Sequence, residues 1–551
     1  MAHHSRFVRA FSSGLRKKLL AAQSKILVGD GAGSFPDRAK LFRWPQQPSA
    51  ALGAACGERL HHPAKCVWLA LQLRKSSISG SHPDIRLVSK VEDACLESID
   101  KFKCAHLSML ATASADVFPG RDLLWLKLAV AAQREHGSFN GNQLANILRS
   151  FARTGRYNHD LFTALSRSAQ RIHASLSTQN IANLAWAFAT IGSDDRALFR
   201  ALSMSALQKI GEFTSTGLSN LVWAFASVAW SGPELFDAVA KEAMPRISEF
   251  NEQGFAMTAW AFAKAGLKHT DSVLFHDLAA AALPRMSKFN EQHIAMVAWA
   301  FATSGMKQTD SELFHDLAAA ALPRMSEFNE QGFAMTAWAF AKAGLKHTDS
   351  VLFHDLAAAA LPRMSKFNEQ HIALVAWAFA TSGMKQTDSE VFHDLAAAAL
   401  PRMGKFSEAL LSMTAWAFAA AGMKHTDSKV FHVLSEAALP RMGKFSEQDL
   451  AMTAWALAKA GTKHTDSELF HDLAAAALPR MSEFNEQGFA MTAWAFAKAD
   501  VSHPDLFRAF SKSALQRINK FSLQGLSNLA WAFVHAHSIY QLKTQISCSR
   551  R

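Results

Sequence analysis

The sequence has few cysteines and no long apolar run. Its five cysteines are an odd number, and none of them forms a Cys-x-x-Cys pair. This pattern argues against a disulfide framework and a structural zinc site, and it favours a reducing compartment. No stretch approaches the roughly 18 consecutive apolar residues of a transmembrane helix. We therefore expect a protein without membrane insertion.

Glycine, proline and charge are also scarce. The 551 residues include 27 glycines and 15 prolines, while 19% are charged and 49% are hydrophobic. That composition supplies enough apolar surface for a core and differs from that of a disordered chain. The sequence also lacks a nucleophile–base pattern, a phosphate-binding glycine loop and a carboxylate pair. We therefore expect no enzyme activity and no cofactor.

Histidine recurs and raises the question of a metal site. "KHTD" and "FHD" appear in many repeats, for example at His269 and His276. Their spacing matches neither an HExxH motif nor a zinc-finger frame. A turn histidine followed by a helix-capping aspartate explains the same residues, so we expect no metal.

Positive charge is concentrated in the first quarter of the chain. The formal net charge is +12. Residues 1–140 contain 20 Lys/Arg and 11 Asp/Glu, which leaves 38 and 35 for the remainder. Because the later part is almost neutral, binding of a polyanion must depend on where individual cations lie rather than on a bulk field.

Residues 1–45 have the composition of a targeting segment and linker. Six basic residues and several serines precede the first acidic residue, Asp30. An Arg-rich, Ser-rich, acid-poor start is typical of an organelle transit peptide. We predict import into the mitochondrial matrix, with a plastid as the alternative. Residues 46–140 have helical spacing, and one interpretation is a set of degenerate repeats that cap an array.

A tryptophan recurs at a nearly fixed period through residues 141–540. The spacings are 37, 37, then 39 six times, then 37, over Trp186, Trp223, Trp260, Trp299, Trp338, Trp377, Trp416, Trp455, Trp494 and Trp531. Arg149 occupies the tryptophan position of one earlier repeat. A period of 20 to 50 residues is typical of a solenoid, and here it gives about eleven repeats. Residues 541–551 form a C-terminal tail.

Each repeat has the pattern of two helices. Asn251 is a predicted N-cap, apolar residues follow at three- and four-residue steps, and Gly266 is a predicted helix end. A second helix begins near Asp271 or Ser272, and Pro284 is expected to kink or end it. Strand signals are absent. The predicted fold is therefore all-α, a superhelical α-α solenoid of helical hairpins of 37–39 residues.

Two adjacent blocks are almost identical. Ser248–Met325 and Ser326–Met403 differ only at Met296/Leu374 and Leu313/Val391. Near-identity indicates tandem duplication, and an array that tolerates added repeats has a function that scales with its length. We therefore expect the length of the array to be part of its function.

A basic residue stands fourteen positions before the tryptophan in nine repeats. We call these residues the arginine column: Lys209, Arg246, Arg285, Arg324, Arg363, Arg402, Arg441, Arg480 and Arg517. In a regular stack they line one edge and form a row for phosphate groups. A cation at the end of a helix also complements the helix dipole, and the sequence favours neither interpretation over the other.

The first helix of the repeat has a variable position six residues before the tryptophan. It holds Asn180, His293, His371 and Asp449 among others. A constant scaffold with one variable position is what a one-repeat, one-base RNA reader presents, although drift on a solvated surface gives the same pattern. The tryptophans are also candidate base-stacking platforms, but their alanine neighbours favour core packing.

Three segments resemble known helical repeats: Asn180–Gly192, Gly217–Val228 and Gln524–Val534, each built around "WAF". They resemble the repeats of octotricopeptide-repeat proteins, of FAST-kinase-like leucine-rich mitochondrial proteins and of the repeat subunit of the RNA-editing substrate-binding complex. The resemblance covers residues 141–540, and no RAP domain is evident after them. It implies an α-solenoid that binds single-stranded organellar RNA.

The function that this resemblance implies lies in mitochondrial RNA processing, mRNA stability, editing or translation, with other ribonucleoprotein subunits as further partners. The alternative is a protein–protein interaction scaffold of the TPR or HEAT type, which the near-neutral repeats favour. An RNA groove requires aligned cations, whereas a scaffold does not. The arginine column is therefore the feature that distinguishes an RNA-binding protein from a protein scaffold.

Overall fold

The computed structural model describes residues 62–79, 85–268, 273–309, 312–348, 351–426, 429–462, 467–501 and 503–549. Within these ranges every regular element is a helix, and the all-α prediction is confirmed. None of these helices is both long and apolar enough to cross a membrane. The transit-peptide prediction for residues 1–45 and the helix-start candidates Asp271 and Ser272 lie outside the described residues.

The described helices fall into two compact units. The first contains α1 (Pro63–Ile78), α2 (Ile85–Ser98), α3 (Cys104–Val117), α4 (Asp122–Arg134), α5 (Gly141–Arg153), α6 (His159–Ile172), α7 (Thr178–Thr190), α8 (Arg196–Gln208), α9 (Ser215–Ser227), α10 (Pro233–Ala243) and α11 (Glu252–Lys264). The second contains α12 (Leu274–Ala282), α13 (Glu291–Ser304), α14 (Leu313–Ala321), α15 (Glu330–Ala343), α16 (Leu352–Ala360), α17 (Glu369–Ser382), α18 (Val391–Ala399), α19 (Glu408–Ala420), α20 (Val430–Ala438), α21 (Glu447–Ala460), α22 (Ser467–Ala477), α23 (Glu486–Lys498), α24 (Pro504–Arg517) and α25 (Leu523–Ser549).

Odd-numbered helices are the first, or A, helices of the hairpins, and even-numbered helices are the B helices. Within each unit every A helix packs along the next A helix, whereas successive B helices contact each other less. The same arrangement begins at α1, so the hairpins α1–α2 and α3–α4 stack in the manner of the tryptophan repeats. Each unit is therefore a stack of helical hairpins, which is the architecture of an α-solenoid.

The A helices form where the sequence places a cap and a nearly continuous apolar run. In α15 the Asn329 side chain accepts a hydrogen bond from the Gly332 N–H at 2.8 Å, which confirms the predicted N-cap position. Phe333 to Ala341 are all buried, as expected for a helix that is apolar on every side. Gly344 ends the helix with φ of 100°, a left-handed conformation that glycine adopts without strain.

From α10 to α22, each B helix ends two residues before a proline. α14 ends at Ala321, and Leu322–Arg324 form a 3-10 turn that contains Pro323. Proline lacks the N–H that would continue the α-helical hydrogen bonds. The predicted ending of the helix is therefore confirmed, and the residue after each proline lies at the turn rather than within the helix.

The turn between the A and B helices of one repeat donates hydrogen bonds to the next repeat. The backbone N–H of Gln308 donates to the carbonyl of Ala343 at 3.0 Å, and its side-chain amide donates to Gly344 at 3.0 Å. Lys307 donates to the carbonyl of Lys342 at 2.8 Å. These carbonyls lie at the end of α15 and have no partner within it. Each repeat in this region thus caps the A helix of the repeat that follows.

We expect Phe379→Ala to lower the free energy of unfolding by about 3–5 kcal/mol, because it leaves a cavity in a fully buried aromatic cluster. Phe379 is 0% exposed and contacts Phe353 and Phe392, each with ring centroids 6.4 Å apart. Val351→Ala, at a side chain that is 67% exposed, is the control and should change stability little. Urea unfolding followed by circular dichroism measures both, and equal effects would contradict the assignment of the core.

Candidate nucleic-acid interface

The arginine column lies at the edge of the stack where the B helices end. All nine members are half-buried. Arg285, for example, belongs to the 3-10 turn Leu283–Lys288 that follows α12. The proline directly before it ends the helix, so the arginine lies in the turn that follows. The structure therefore brings the column to one edge in each unit, as the sequence predicts.

Most members of the column donate to a backbone carbonyl of the preceding repeat. Arg441 Nη1 donates to the carbonyl of Phe406 at 2.6 Å, and this phenylalanine directly precedes the N-cap of α19. The same contact joins Lys209 to Leu176, Arg246 to Phe213, Arg324 to Phe289, Arg363 to Phe328, Arg402 to Phe367, Arg480 to Phe445 and Arg517 to Phe484. The column thus links consecutive repeats, a role that the sequence pattern did not reveal.

Glutamates neutralise part of the column. Arg480 lies 3.2 Å from Glu447, the first residue of α21, and 2.9 Å from Glu483 in its own turn. Arg324 has the same two partners, Glu291 at 3.5 Å and Glu327 at 3.4 Å. In the first unit Arg246 pairs with Glu242 and Glu249. An edge that looks uniformly basic in the sequence is therefore uneven in charge.

Phosphate binding by the arginine column stays a prediction, because these contacts already use some of its donors. A guanidinium has five N–H donors, so one bond to a carbonyl leaves others for a second acceptor. Arg441 also donates through Nε to the carbonyl of Ala437 at the end of its own B helix, 2.9 Å away, as the helix-dipole interpretation expects. The column therefore has a structural role whether or not it also contacts phosphate.

The variable position lies in the first turn of the A helix. His293 and His371 accept through Nδ1 from the backbone N–H of their N-cap asparagines at 3.3 Å and complete capping boxes. Asp449 accepts from the Ser446 backbone N–H at 3.1 Å and from the hydroxyl of Ser412 at 2.7 Å. Asn180 is 7% exposed. Base reading at this position stays a prediction, and it requires these side chains to exchange internal partners for a base.

The tryptophans form a ladder along the A helices. In the second unit successive indole centroids from Trp338 to Trp531 are 5.9–6.4 Å apart, with interplanar angles of 28–35°. Trp338 is 6% exposed, whereas Trp531 is 40% exposed and stacks on His535 at 4.7 Å. Because successive rings lie close to each other, the ladder supports packing between A helices rather than stacking of bases, although Trp377, Trp416, Trp455 and Trp494 are half-buried.

The first unit has a shorter ladder, in which an arginine takes the place of the first tryptophan. Arg149, in the tryptophan position, lies 5.8 Å from the centre of the Trp186 ring and donates to Asn183 at 3.1 Å. Burial lowers the pKa of the Arg149 guanidinium. Trp186 in turn lies 6.4 Å from Trp223. The substitution of arginine for tryptophan therefore keeps the packing, because a guanidinium stacks on an aromatic face.

A second column of residues, which the sequence pattern did not single out, lies three residues after the arginine column. This variable-charge column lies eleven residues before the tryptophan: Glu212, Glu249, Lys288, Glu327, Lys366, Lys405, Lys444, Glu483 and Lys520. Every member is exposed. Alignment of the repeats on the tryptophan reveals it, but only the ion pairs show why its sign matters.

We expect Arg441→Gln to lower the free energy of unfolding by about 1–2 kcal/mol, because the carbonyl of Phe406 loses a charged donor. Lys444→Gln is the matched control, since it removes an equal charge from an exposed side chain in the same turn. Its effect should stay within about 0.5 kcal/mol. Denaturant unfolding of both variants checks this, and an Arg441→Gln protein as stable as the parent would refute the link between repeats.

The matches among known structures have low identity and low TM-scores. A pentatricopeptide repeat protein from maize is 11% identical, with 99% of this chain and 97% of that chain covered and a TM-score of 0.27. A homology model of the AP-3 complex is 10% identical, with coverages of 96% and 99% and a TM-score of 0.23. No curated protein sequence matches the chain. These superpositions are too weak to carry an argument.

A family model gives a stronger result. The model of the RNA-editing substrate-binding complex 6 protein matches residues 86–310 and 257–540, which together include every tryptophan repeat and most of the preceding helices. One of the three resemblances seen in the repeat segments is thereby confirmed. The chain belongs to the RNA-editing substrate-binding complex 6 protein family.

Proposed function

We propose that this protein binds single-stranded RNA along the edge that carries the arginine column. The observation that carries the proposal is the family match over residues 86–540, because the family is described by RNA-editing substrate binding. The edge supports it, since exposed lysines such as Lys366, Lys405 and Lys444 lie there in the same turns as the half-buried arginines. Contacts to phosphate oxygens from aligned Arg and Lys side chains are the general basis of sequence-tolerant RNA binding.

The proposed role is binding rather than catalysis. The protein would act in mitochondrial RNA processing, mRNA stability, editing or translation, as one subunit of a ribonucleoprotein. The acid-poor composition of residues 1–45 supports import into the mitochondrial matrix, with a plastid as the alternative. Stacked hairpins suit this role, because each added repeat lengthens the surface that one RNA strand follows.

A protein–protein scaffold is the second candidate, and one observation favours it. Met413, Met452 and Met491 are half-buried beside the half-buried tryptophans of α19, α21 and α23. Methionine beside an aromatic ring gives an adaptable apolar surface, which is typical of protein-binding grooves. This surface lies on the A helices and not at the arginine edge, so a test of RNA binding separates the two candidates.

The full chain should bind labelled single-stranded RNA more tightly than duplex RNA or single-stranded DNA of the same sequence. Fluorescence anisotropy across about 50 to 300 mM salt should show affinity falling linearly on a log–log plot, with a slope of about 0.7 per phosphate contact. A folded chain that binds none of the three nucleic acids would contradict the proposal and favour the scaffold. A salt-independent interaction would also contradict it, because phosphate contacts release counterions.

A further inference from the structure

Along the arginine edge of the second unit, each column arginine from Arg324 to Arg480 has a glutamate at the start of the A helix before it, and in three repeats the two form an ion pair. The Glu is the first residue of an A helix and pairs with the arginine of the next repeat, as in Glu447–Arg480 at 3.2 Å and Glu291–Arg324 at 3.5 Å. Glu408 lies 4.0 Å from Arg441 in the same arrangement. The net sign of each repeat at this edge is therefore decided by its member of the variable-charge column.

In the second unit that column changes sign along the stack. Its members are, in order, Lys288, Glu327, Lys366, Lys405, Lys444, Glu483 and Lys520. Glu327 and Glu483 pair with the arginine of their own turn at 3.4 Å and 2.9 Å. Those two repeats carry a net negative charge at the edge, whereas three consecutive repeats between them are net positive.

We call Lys366, Lys405 and Lys444 the lysine triplet. All three are exposed, and none forms an ion pair or hydrogen bond with another residue in the described ranges. In the same part of the structure Arg363 and Arg402 donate to carbonyl oxygens and form no ion pair with a carboxylate. The triplet is therefore a run of solvent-facing ammonium groups. Of the three arginines in the same turns, Arg441 lies 4.0 Å from Glu408, whereas Arg363 and Arg402 have no carboxylate partner in the described ranges.

The fold does not require this charge. Glu327 and Lys405 occupy equivalent positions, and in both repeats the preceding arginine reaches the phenylalanine carbonyl of the repeat before it. Glu327 and Lys366 make the comparison closer still, because their local sequences, "PRMSEFNEQ" and "PRMSKFNEQ", differ only in that residue. A glutamate also ends a six-residue 3-10 turn, Met244–Glu249, of the same length as Leu361–Lys366. The choice of lysine in three successive repeats therefore has no structural explanation within the hairpin.

A shallow cleft opens beside the triplet, between two successive repeats. Its lining includes Leu361, Met364, Pro401 and Arg402, and one carboxylate, Asp394, on α18. The cleft is mainly apolar, with one cation, Arg402, in its lining, and Lys366 follows the lining residue Ser365 in the chain. That combination suits a nucleotide, whose sugar and base contact apolar atoms while its phosphate faces the ammonium groups.

We propose that the lysine triplet is the principal phosphate-contacting segment of the second unit, so that single-stranded RNA is held mainly across the repeats that contain Arg363, Arg402 and Arg441. This inference rests on the proposed function and narrows it. It assigns the arginine column mainly to holding the repeats together, and it assigns phosphate contact mainly to Lys366, Lys405 and Lys444, three residues further on in their repeats. The flanking repeats with Glu327 and Glu483 bound the segment by like-charge repulsion of phosphate.

The test compares two triple variants of the full chain that change net charge equally. Lys366→Gln/Lys405→Gln/Lys444→Gln removes the triplet. Lys459→Gln/Lys498→Gln/Lys512→Gln removes three other exposed lysines, which lie outside the variable-charge column. Loss of three phosphate contacts should lower the salt slope by about 2 and weaken binding roughly ten- to a hundredfold near 0.1 M salt. The control variant should keep a slope within about 1 of the parent.

A gain-of-function variant tests the boundaries of the segment. Glu327→Lys/Glu483→Lys joins the triplet to Lys288 and Lys520 and makes the column continuously basic in the second unit. Binding should tighten, and the salt slope should rise by about 1.4, which corresponds to two added contacts. Both glutamates are more than half exposed, so their loss should leave the fold intact.

The outcomes separate this inference from the proposed function. If the parent chain binds single-stranded RNA and the two triple variants weaken it equally, RNA binding stands and the lysine triplet is refuted. If the parent chain binds no RNA, both the proposed function and the inference fail. Circular dichroism and unfolding midpoints of all variants show whether any lost binding is lost folding, and Glu327→Lys/Glu483→Lys supplies a change that misfolding cannot mimic.

Discussion

The stack depends on backbone carbonyls that are satisfied by the neighbouring repeat. At one end of α15, donors from Lys307 and Gln308 cap carbonyls that the helix leaves without partners. Before its other end, the carbonyl of Phe328 accepts from Arg363 of the next repeat. A hairpin without neighbours would expose these groups and the apolar surface of its A helix to water. Stability and length are therefore linked, since each internal repeat completes the repeats on either side of it.

Because the arginine column bonds consecutive repeats, its positive charge is weaker evidence for RNA binding than the sequence suggests. A basic residue that recurs once per repeat is needed to hold the stack, so its regularity is not in itself evidence for a ligand. The exposed lysines that vary between repeats are better evidence, because the fold accepts either sign at their position. A repeat array can thus keep one geometry while its surface charge is set repeat by repeat, and a duplication copies both together, as the blocks Ser248–Met325 and Ser326–Met403 show.

Periodicity was sufficient to predict the hairpins, the A-helix caps such as Asn329 and the ending of the B helix before Pro323, because these features follow from local residue preferences. The partners of the arginine column could not be predicted, since the Phe406 carbonyl that Arg441 reaches is 35 residues away and belongs to another hairpin. The capping boxes of His371 and Asp449 were missed for a related reason: a variable position suggests a surface, whereas His371 is 5% exposed. The local sequence pattern specifies the helices and their ends, whereas contacts between repeats determine which polar side chains remain available for a ligand.

Protection of lysines from acetylation, measured by mass spectrometry with and without single-stranded RNA, tests the central claim most directly. Lys288 is an internal control for Lys366, because a tryptic peptide with either residue acetylated reads the same except for Met296 or Leu374. The account predicts strong protection of Lys366, Lys405 and Lys444 and little protection of Lys288. Equal protection of Lys288 and Lys366, or protection confined to lysines on the A helices such as Lys459 and Lys498, would contradict it.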